Sequence, residues 1–402
     1  MTALRTLALA LAILLTAPAL FAEASDAEWP QYRGPARDGS SPESGILAAW
    51  PAGGPKVVWK RSIGTGFSGL TVSGGRIFTM MAEGGEEHAV AFDAESGEEL
   101  WRTPLGDEFP SEFGAGPRST PAVLGGTAFF LGSYGDLVAL ATKNGKQRWS
   151  LHLTRDFGAM LPQHGFSTAP MVEGDMLVVE VGGGHGKAYA ALDPKKGKTL
   201  WTTQDGTPTY TSPIAVTWGG ERQLISLSDR RVVALGRDGE LAWSHPWQGG
   251  IAMPIWIAPD KLFVPSIQGS MMAQLTESDG AVAVEQLWRS NEMKNHFNSS
   301  VVHDGYIYGF DNAILKCVSA ETGERMWAKR GFGKGSLIVA DGHLIILGER
   351  GQLAQAKASP EGFEEEGSVQ ALEGKCWTSP TLAGGRLYLR SLEQMVAFDV
   401  SG

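Results

Sequence analysis

His88-Ala89-Val90-Ala91-Phe92-Asp93-Ala94-Glu95-Ser96-Gly97-Glu98-Glu99-Leu100-Trp101 is an apolar run, a polar turn containing Gly, and a short final run that stops on tryptophan. The phrase returns as DLVALATKNGKQRW (136–149), KAYAALDPKKGKTLW (187–201), RVVALGRDGELAW (231–243) and AILKCVSAETGERMW (313–327). With the runs around them, Trp59, Trp101, Trp149, Trp201, Trp243, Trp288 and Trp327 form a ladder with steps of 39 to 52 residues. A period near 45 residues is one small β-sheet used repeatedly, the signature of a propeller blade. Alternation and β-branched content read as strands, and no long segment after the first 24 residues has helical periodicity.

Each unit opens on a small polar step such as Ser119-Thr120-Pro121 or Thr378-Ser379-Pro380. Unit starts fall near Gly69, Ser119, Thr168, Thr211, Met253, Asn298, Gly335 and Thr378, which makes eight. The seventh lacks a closing tryptophan and runs through the acidic stretch 361–367, and the eighth stops at Gly402 before any tryptophan. Trp59, in Lys56-Val57-Val58-Trp59, is left to supply the outer strand of the eighth unit. Pairing of the two chain ends closes the ring and hides the edges at the seam. The expected fold is an all-β, eight-bladed propeller of four-stranded antiparallel sheets over residues 57–402. The ladder tryptophans are expected to pack between blades, each indole N–H reaching a neighbouring carbonyl.

The pattern A-[LF]-D-x-x-[ST]-G-x-x-x-W, seen at residues 91–101, resembles the tryptophan-docking repeat of PQQ-like β-propellers. That family holds quinoprotein dehydrogenases and non-enzymatic relatives, among them the propeller lipoprotein of the outer-membrane barrel assembly machinery, so the resemblance implies a fold before it implies a chemistry. The stretch Trp29-Pro30-Gln31-Tyr32-Arg33-Gly34-Pro35 also looks like the opening segment of many bacterial PQQ-like propellers. The quinoprotein alcohol dehydrogenase branch has an adjacent cysteine pair, which this sequence lacks, and its calcium-holding Glu, Asn and Asp find no counterpart here residue by residue. A C-x-x-C-H haem motif is absent as well.

Residues 1–24 read as a secretory signal peptide: Arg5, the apolar stretch from Leu7 to Leu15, and the exit Ala22-Glu23-Ala24. Residues 25–56 form an N-terminal extension. No cysteine lies near the exit, so no lipid anchor is expected, and the apolar run is too short to span a membrane, which places the protein in the periplasm or outside the cell. A net charge of −10 argues against nucleic acid as a partner. Cys317 and Cys376 are expected as free buried thiols, because they fall about two blades apart.

Binding residues in a propeller sit on the loops between blades, around the channel mouth. Phe67, Arg118, His164, Tyr210, Trp256, His296, Asn298, Lys334 and Trp377 hold such positions and are the candidate ligand-binding residues. No catalytic or metal-binding set is expected. The leading expectation is a monomeric, non-enzymatic binding or scaffolding propeller of the bacterial envelope, engaging an envelope protein or a small polar ligand without a cofactor. The alternative is a quinoprotein oxidoreductase using PQQ with calcium. A carbohydrate ligand is a weaker third reading, resting only on aromatic residues in the loops.

Overall fold

A computed structural model describes residues 28–402 apart from Asp229 and Asp279. The signal peptide expected over residues 1–24 lies outside the described residues. Eight antiparallel sheets follow one another around a ring. The first blade comprises Thr71–Ser73, Arg76–Glu83, Glu86–Asp93 and Glu99–Asp107. In the eighth, Thr381–Ala383, Arg386–Arg390 and Gln394–Asp399 are completed by Lys56–Ser62 from the other end of the chain. Trp59 there pairs with Ala397, as Trp101 pairs with Ala91 in the first blade. The seam expected from Trp59 is the seam observed.

Buried apolar side chains do not form one central core. They fall into clusters, each shared by neighbouring blades, such as Phe129 and Leu131 of blade 2 with Leu177 and Val179 of blade 3. This is what a radial stack requires: each sheet buries its two faces against two neighbours. The tryptophan ladder lies across these joints. Trp59, Trp101, Trp149, Trp201, Trp288 and Trp327 donate to the carbonyls of Ala94, Thr142, Pro194, Arg237, Ala320 and Ser359 in the next blade, at 2.8 to 3.1 Å. Beneath most of these rings lies the turn glycine of the repeat. Gly323, at φ +72°, would place a Cβ 2.7 Å from the Trp288 ring, so only glycine allows the dock.

Trp243 departs from the pattern and donates to Gln223 Oε1 in its own blade, at 2.8 Å. The cause lies in blade 5, whose last two strands, Gly269–Ser278 and Ala281–Ser290, run on as one long hairpin. That hairpin has no short glycine turn at the docking height. Blade 7 carries Gly367 opposite Gln355, at the place where other blades carry tryptophan. The gap is filled from elsewhere. Trp50, 7% exposed, packs on Gly367, where an added Cβ would lie 2.7 Å from the Trp50 Cβ. Gln355 fixes the same stretch by donating to Leu47 O at 2.8 Å.

The small polar step at each blade start also has a structural reason. Thr71 Oγ1 donates to Pro121 O (2.7 Å), Ser119 Oγ to Thr168 O (2.9 Å) and Thr211 Oγ1 to Gly250 O (2.6 Å). Ser212 Oγ accepts from Ala169 N (2.9 Å), and Ser299 Oγ from Met253 N (2.9 Å). Asn298 Nδ2 reaches Gly335 O (2.6 Å), Ser336 Oγ Thr378 O (2.7 Å) and Thr381 Oγ1 Leu70 O (2.8 Å). These bonds link each blade to the next all the way round, so the inner rim is a closed hydrogen-bonded hoop.

The N-terminal extension is not peripheral. Trp29 exchanges backbone hydrogen bonds with Val72 of blade 1, Pro30 O accepts from Val123 of blade 2, and Gln31 Oε1 accepts from Val172 of blade 3. Gly39 N then folds back onto Arg33 O. Arg33 donates to the carbonyls of Ser299 and Ser300 before the inner strand of blade 6. Arg37 donates to those of Ala169, Pro170 and Pro213 before the inner strands of blades 3 and 4. Ser40–Ser41 adds a parallel strand to the inner edge of blade 7, at Val339 and Ala340. Trp29, Arg33 and Arg37 are each 2% exposed, so residues 29–41 form a plug inside the ring. The segment leaves past blade 8, where Glu43 accepts from the N–H groups of Gly384 and Gly385.

Candidate functional site

Eight loops run from the outer strand of one blade to the inner strand of the next, and all eight converge on one cavity of about 320 Å³. Phe67, Arg118, His164 and Tyr210 come from four consecutive loops; Met253, Asn298, Lys334 and Trp377 come from the other four. Tyr32, carried by the plug, also lines it, so the channel is a blind pocket. Of the nine residues expected at the mouth, Phe67, Arg118, His164, Tyr210, His296, Asn298, Lys334 and Trp377 line the cavity.

Trp256 is placed elsewhere. It lies within the inner strand Ile255–Ile257 of blade 5 and packs on the apolar cluster between blades 4 and 5. Its neighbour Ile255 faces the joint with blade 6, as strand alternation dictates. Asn298 lines the cavity while also serving the hoop through its bond to Gly335.

Aromatic rings make one wall. Trp377 stacks on Phe67 with centroids 5.3 Å apart and an interplanar angle of 26°. Phe297 meets Trp377 at 4.8 Å and Phe113 meets it at 6.2 Å. Phe113 also meets His164 in a T-shaped arrangement, with centroids 5.4 Å apart. The Trp377 indole N–H is held by Glu349 Oε1 at 3.0 Å, and Glu349 Oε2 accepts from Lys334 N at 3.1 Å. One carboxylate thus fixes both the aromatic centre of the site and the loop bearing its lysine.

The charged groups of the lining are cationic. Arg118 lies over Phe67 at 5.5 Å and donates to the carbonyls of Gly114 and Gly116, both at 2.8 Å. Lys334 Nζ sits 3.3 Å from His296 Nδ1 and 6.0 Å from the Phe297 centroid. Lys375 covers Trp377 at 4.4 Å from the rim. Burial, and then the Lys334 ammonium, hold His296 below its ordinary value of 6.5, so its neutral ring accepts from the lysine. Behind the wall Arg390, fully buried, donates to Ser68 O, Thr79 Oγ1 and Met80 O, and burial brings it down to about 9. Arg37, below the floor, is lowered to about 9 for the same reason.

No Asp or Glu lines the cavity. Calcium is held by carboxylate and carbonyl oxygens. Among the described residues no group of three or more His, Cys, Asp or Glu is placed to hold a metal ion. The donor set of this mouth does not fit a calcium–quinone pair. Cys317 and Cys376 are free and buried, and burial pushes each thiol up to about 12, which leaves them poor nucleophiles.

A family model described as outer membrane protein assembly factor BamB matches residues 41–161 and 160–329. The chain belongs to this BamB-like propeller family. An outer membrane protein assembly factor BamB from Shewanella oneidensis is 26% identical over 301 residues, 68% of this chain and 70% of that protein. One from Burkholderia pseudomallei is 25% identical over 171 residues, 40% and 42% of the two chains. The crystal structure of BamB from Moraxella catarrhalis superposes with a TM-score of 0.61 at 15% identity, covering 85% of this chain and 97% of that one. Quinohemoprotein alcohol dehydrogenase from Comamonas testosteroni superposes with 0.67 at 13% identity, covering 94% and 81%. At these identities the two structures share the fold. Membership of the BamB family agrees with the tryptophan-docking repeat read from the sequence.

Phe113, Phe297, Glu349 and Tyr32 escaped the sequence reading. Phe113 and Phe297 sit in irregular loops with no repeat register, and Glu349 lies in a turn of blade 7. Tyr32 lies some hundred or more positions from most of the groups it faces. The motif WPQYRGP that carries it was visible, but its destination was not.

Proposed function

We propose that this BamB-family propeller is an exported, non-enzymatic binding module of the bacterial envelope that engages its partner at the channel mouth. The observation that carries the reading is the convergence of all eight inter-blade loops on one aromatic and cationic cavity, floored by the chain's own N-terminal plug. A rigid hoop that presents variable loops is how a repeat scaffold supports recognition. Relatives described as outer membrane protein assembly factors support an envelope role. The leader-like first 24 residues support export to the periplasm or beyond.

A photo-crosslinking residue at Phe113, on the mouth, and another at Leu200, 50% exposed on an outer strand, tests the reading in the native envelope. Specific adducts at position 113 and none at 200 are expected. Adducts at 200 alone would move the functional surface to the outer strands. A separate titration with PQQ and Ca²⁺ examines the oxidoreductase alternative, since a ligand that binds only the native state raises the melting temperature. A saturable rise together with reduction of an electron-accepting dye would replace the binding reading with catalysis.

A further inference from the structure

We propose that the mouth accepts an acidic polypeptide segment whose carboxylate side chains alternate with apolar ones. This rests on the mouth being the binding surface. Within a protein of net charge −10, the cavity presents Arg118 and Lys334 and no carboxylate. Neither cation is used up. Arg118 has five N–H groups and its two bonds go to backbone carbonyls, while Lys334 shares its ammonium with a neutral imidazole and a ring face. Arg390 behind the wall is bonded to neutral groups, so its charge adds to the field in the pocket, whereas Glu173 offsets Arg37, and Glu87 and Glu349 act from outside the lining. Such a site favours an anion, and the guanidinium fork suits a carboxylate.

The apolar surface sets the size of the occupant. Phe113, on the cavity wall, is 43% exposed, and Met160 and Leu161, outside the lining of a cavity of only about 320 Å³, are 55% and 45% exposed; all three sit on the two longest loops at the mouth. A small molecule held inside the cavity leaves Met160 and Leu161 in water. A peptide that inserts one residue and lays its neighbours on the rim covers them, with carboxylates at Arg118 and Lys334 and apolar side chains at Trp377 and Phe113. A phosphate polymer is disfavoured, because the acidic exterior repels a long polyanion.

Calorimetry on the mature full chain tests this with an end-blocked peptide alternating Phe and Asp, and with the same peptide carrying Asn or Lys in place of Asp. The Asp peptide is expected to bind at least about tenfold tighter than the Asn peptide, and to weaken several-fold between about 50 and about 300 mM salt. The double variant Arg118→Glu with Lys334→Glu is expected to prefer the Lys peptide. Should it fold poorly, the single changes Arg118→Gln and Lys334→Gln are each expected to erase most of the Asp-over-Asn preference. Equal binding of the Asp, Asn and Lys peptides overturns the proposal, as does binding of free phenylacetate as tight as that of the Asp peptide. So does absence of binding by all three peptides. In each of these cases the crosslink at position 113 still judges the mouth independently, so the two readings fail separately.

Discussion

Gly323 and His296 show how single residues set the limits of this fold. Gly323 combines φ +72° with a ring 2.7 Å from where a Cβ would stand, whereas Gly305, at φ +81°, has nothing near that point. Alanine at either position meets backbone strain of about 1 kcal/mol. At Gly323 it must also lift the Trp288 indole off its dock, so Gly323→Ala is expected to cost roughly 2–4 kcal/mol against about 1 for Gly305→Ala, read from urea unfolding. His296 makes stability depend on pH. Its folded-state value lies below the unfolded value of 6.5, so on acidification the unfolded chain takes up the proton first. Stability from this group is fully present above 6.5 and falls as pH drops toward the folded-state value. The melting temperature of the native protein is therefore expected to drop more than that of His296→Gln between about pH 7 and about pH 5.

At the scale of the element, the blade is a local code with one borrowed part. Ala-Leu or Ala-Phe, a polar turn with glycine and a terminal tryptophan specify the third and fourth strands and the joint to the next blade. Blade 7 breaks the code at Gly367, and the extension repairs it with Trp50. Trp50 is then as much a blade tryptophan as Trp327, although no period points to it. Trp50→Ala is expected to destabilise by roughly 3–5 kcal/mol, close to the effect of Trp327→Ala, because each empties a buried indole site between elements. A much smaller loss at Trp50, measured by chemical denaturation, would mean that the extension merely rests on blade 7.

For the whole molecule, the plug matters most. Ring closure through Trp59 and the hydrogen-bonded hoop makes a channel, and residues 29–41 make that channel a pocket with a floor. Arg33 and Arg37 tie the plug to blades 3, 4 and 6 through carbonyls that have no water to turn to. Arg33→Ala and Arg37→Ala are each expected to cost roughly 2–3 kcal/mol, because removing one partner strands the other's buried carbonyls. Both changes are also expected to raise hydrogen exchange at Val72 and Val123, whose amides are bonded to Trp29 and Pro30. Unchanged exchange there would show that the plug holds without its arginines.

Sequence alone determined the repeat, the number of blades and the loops that converge, because a blade is encoded by neighbours within about 45 positions; the seam followed as well, because Trp59 at one chain end is the rung left over for the incomplete blade at the other. The same periodicity placed eight of the nine mouth residues, since a loop preceding an inner strand must open on the channel. It could not direct Trp256, which lies one step inside its strand, where alternation turns the side chain toward blade 4. Tertiary structure alone decided where the extension goes, how Trp50 completes blade 7, and how Phe67, Phe113, Phe297 and Trp377 meet. It also decided that no carboxylate reaches the cavity of an acidic protein. These contacts join residues up to hundreds of positions apart that share no period, and their partners are settled only when the ring closes around them.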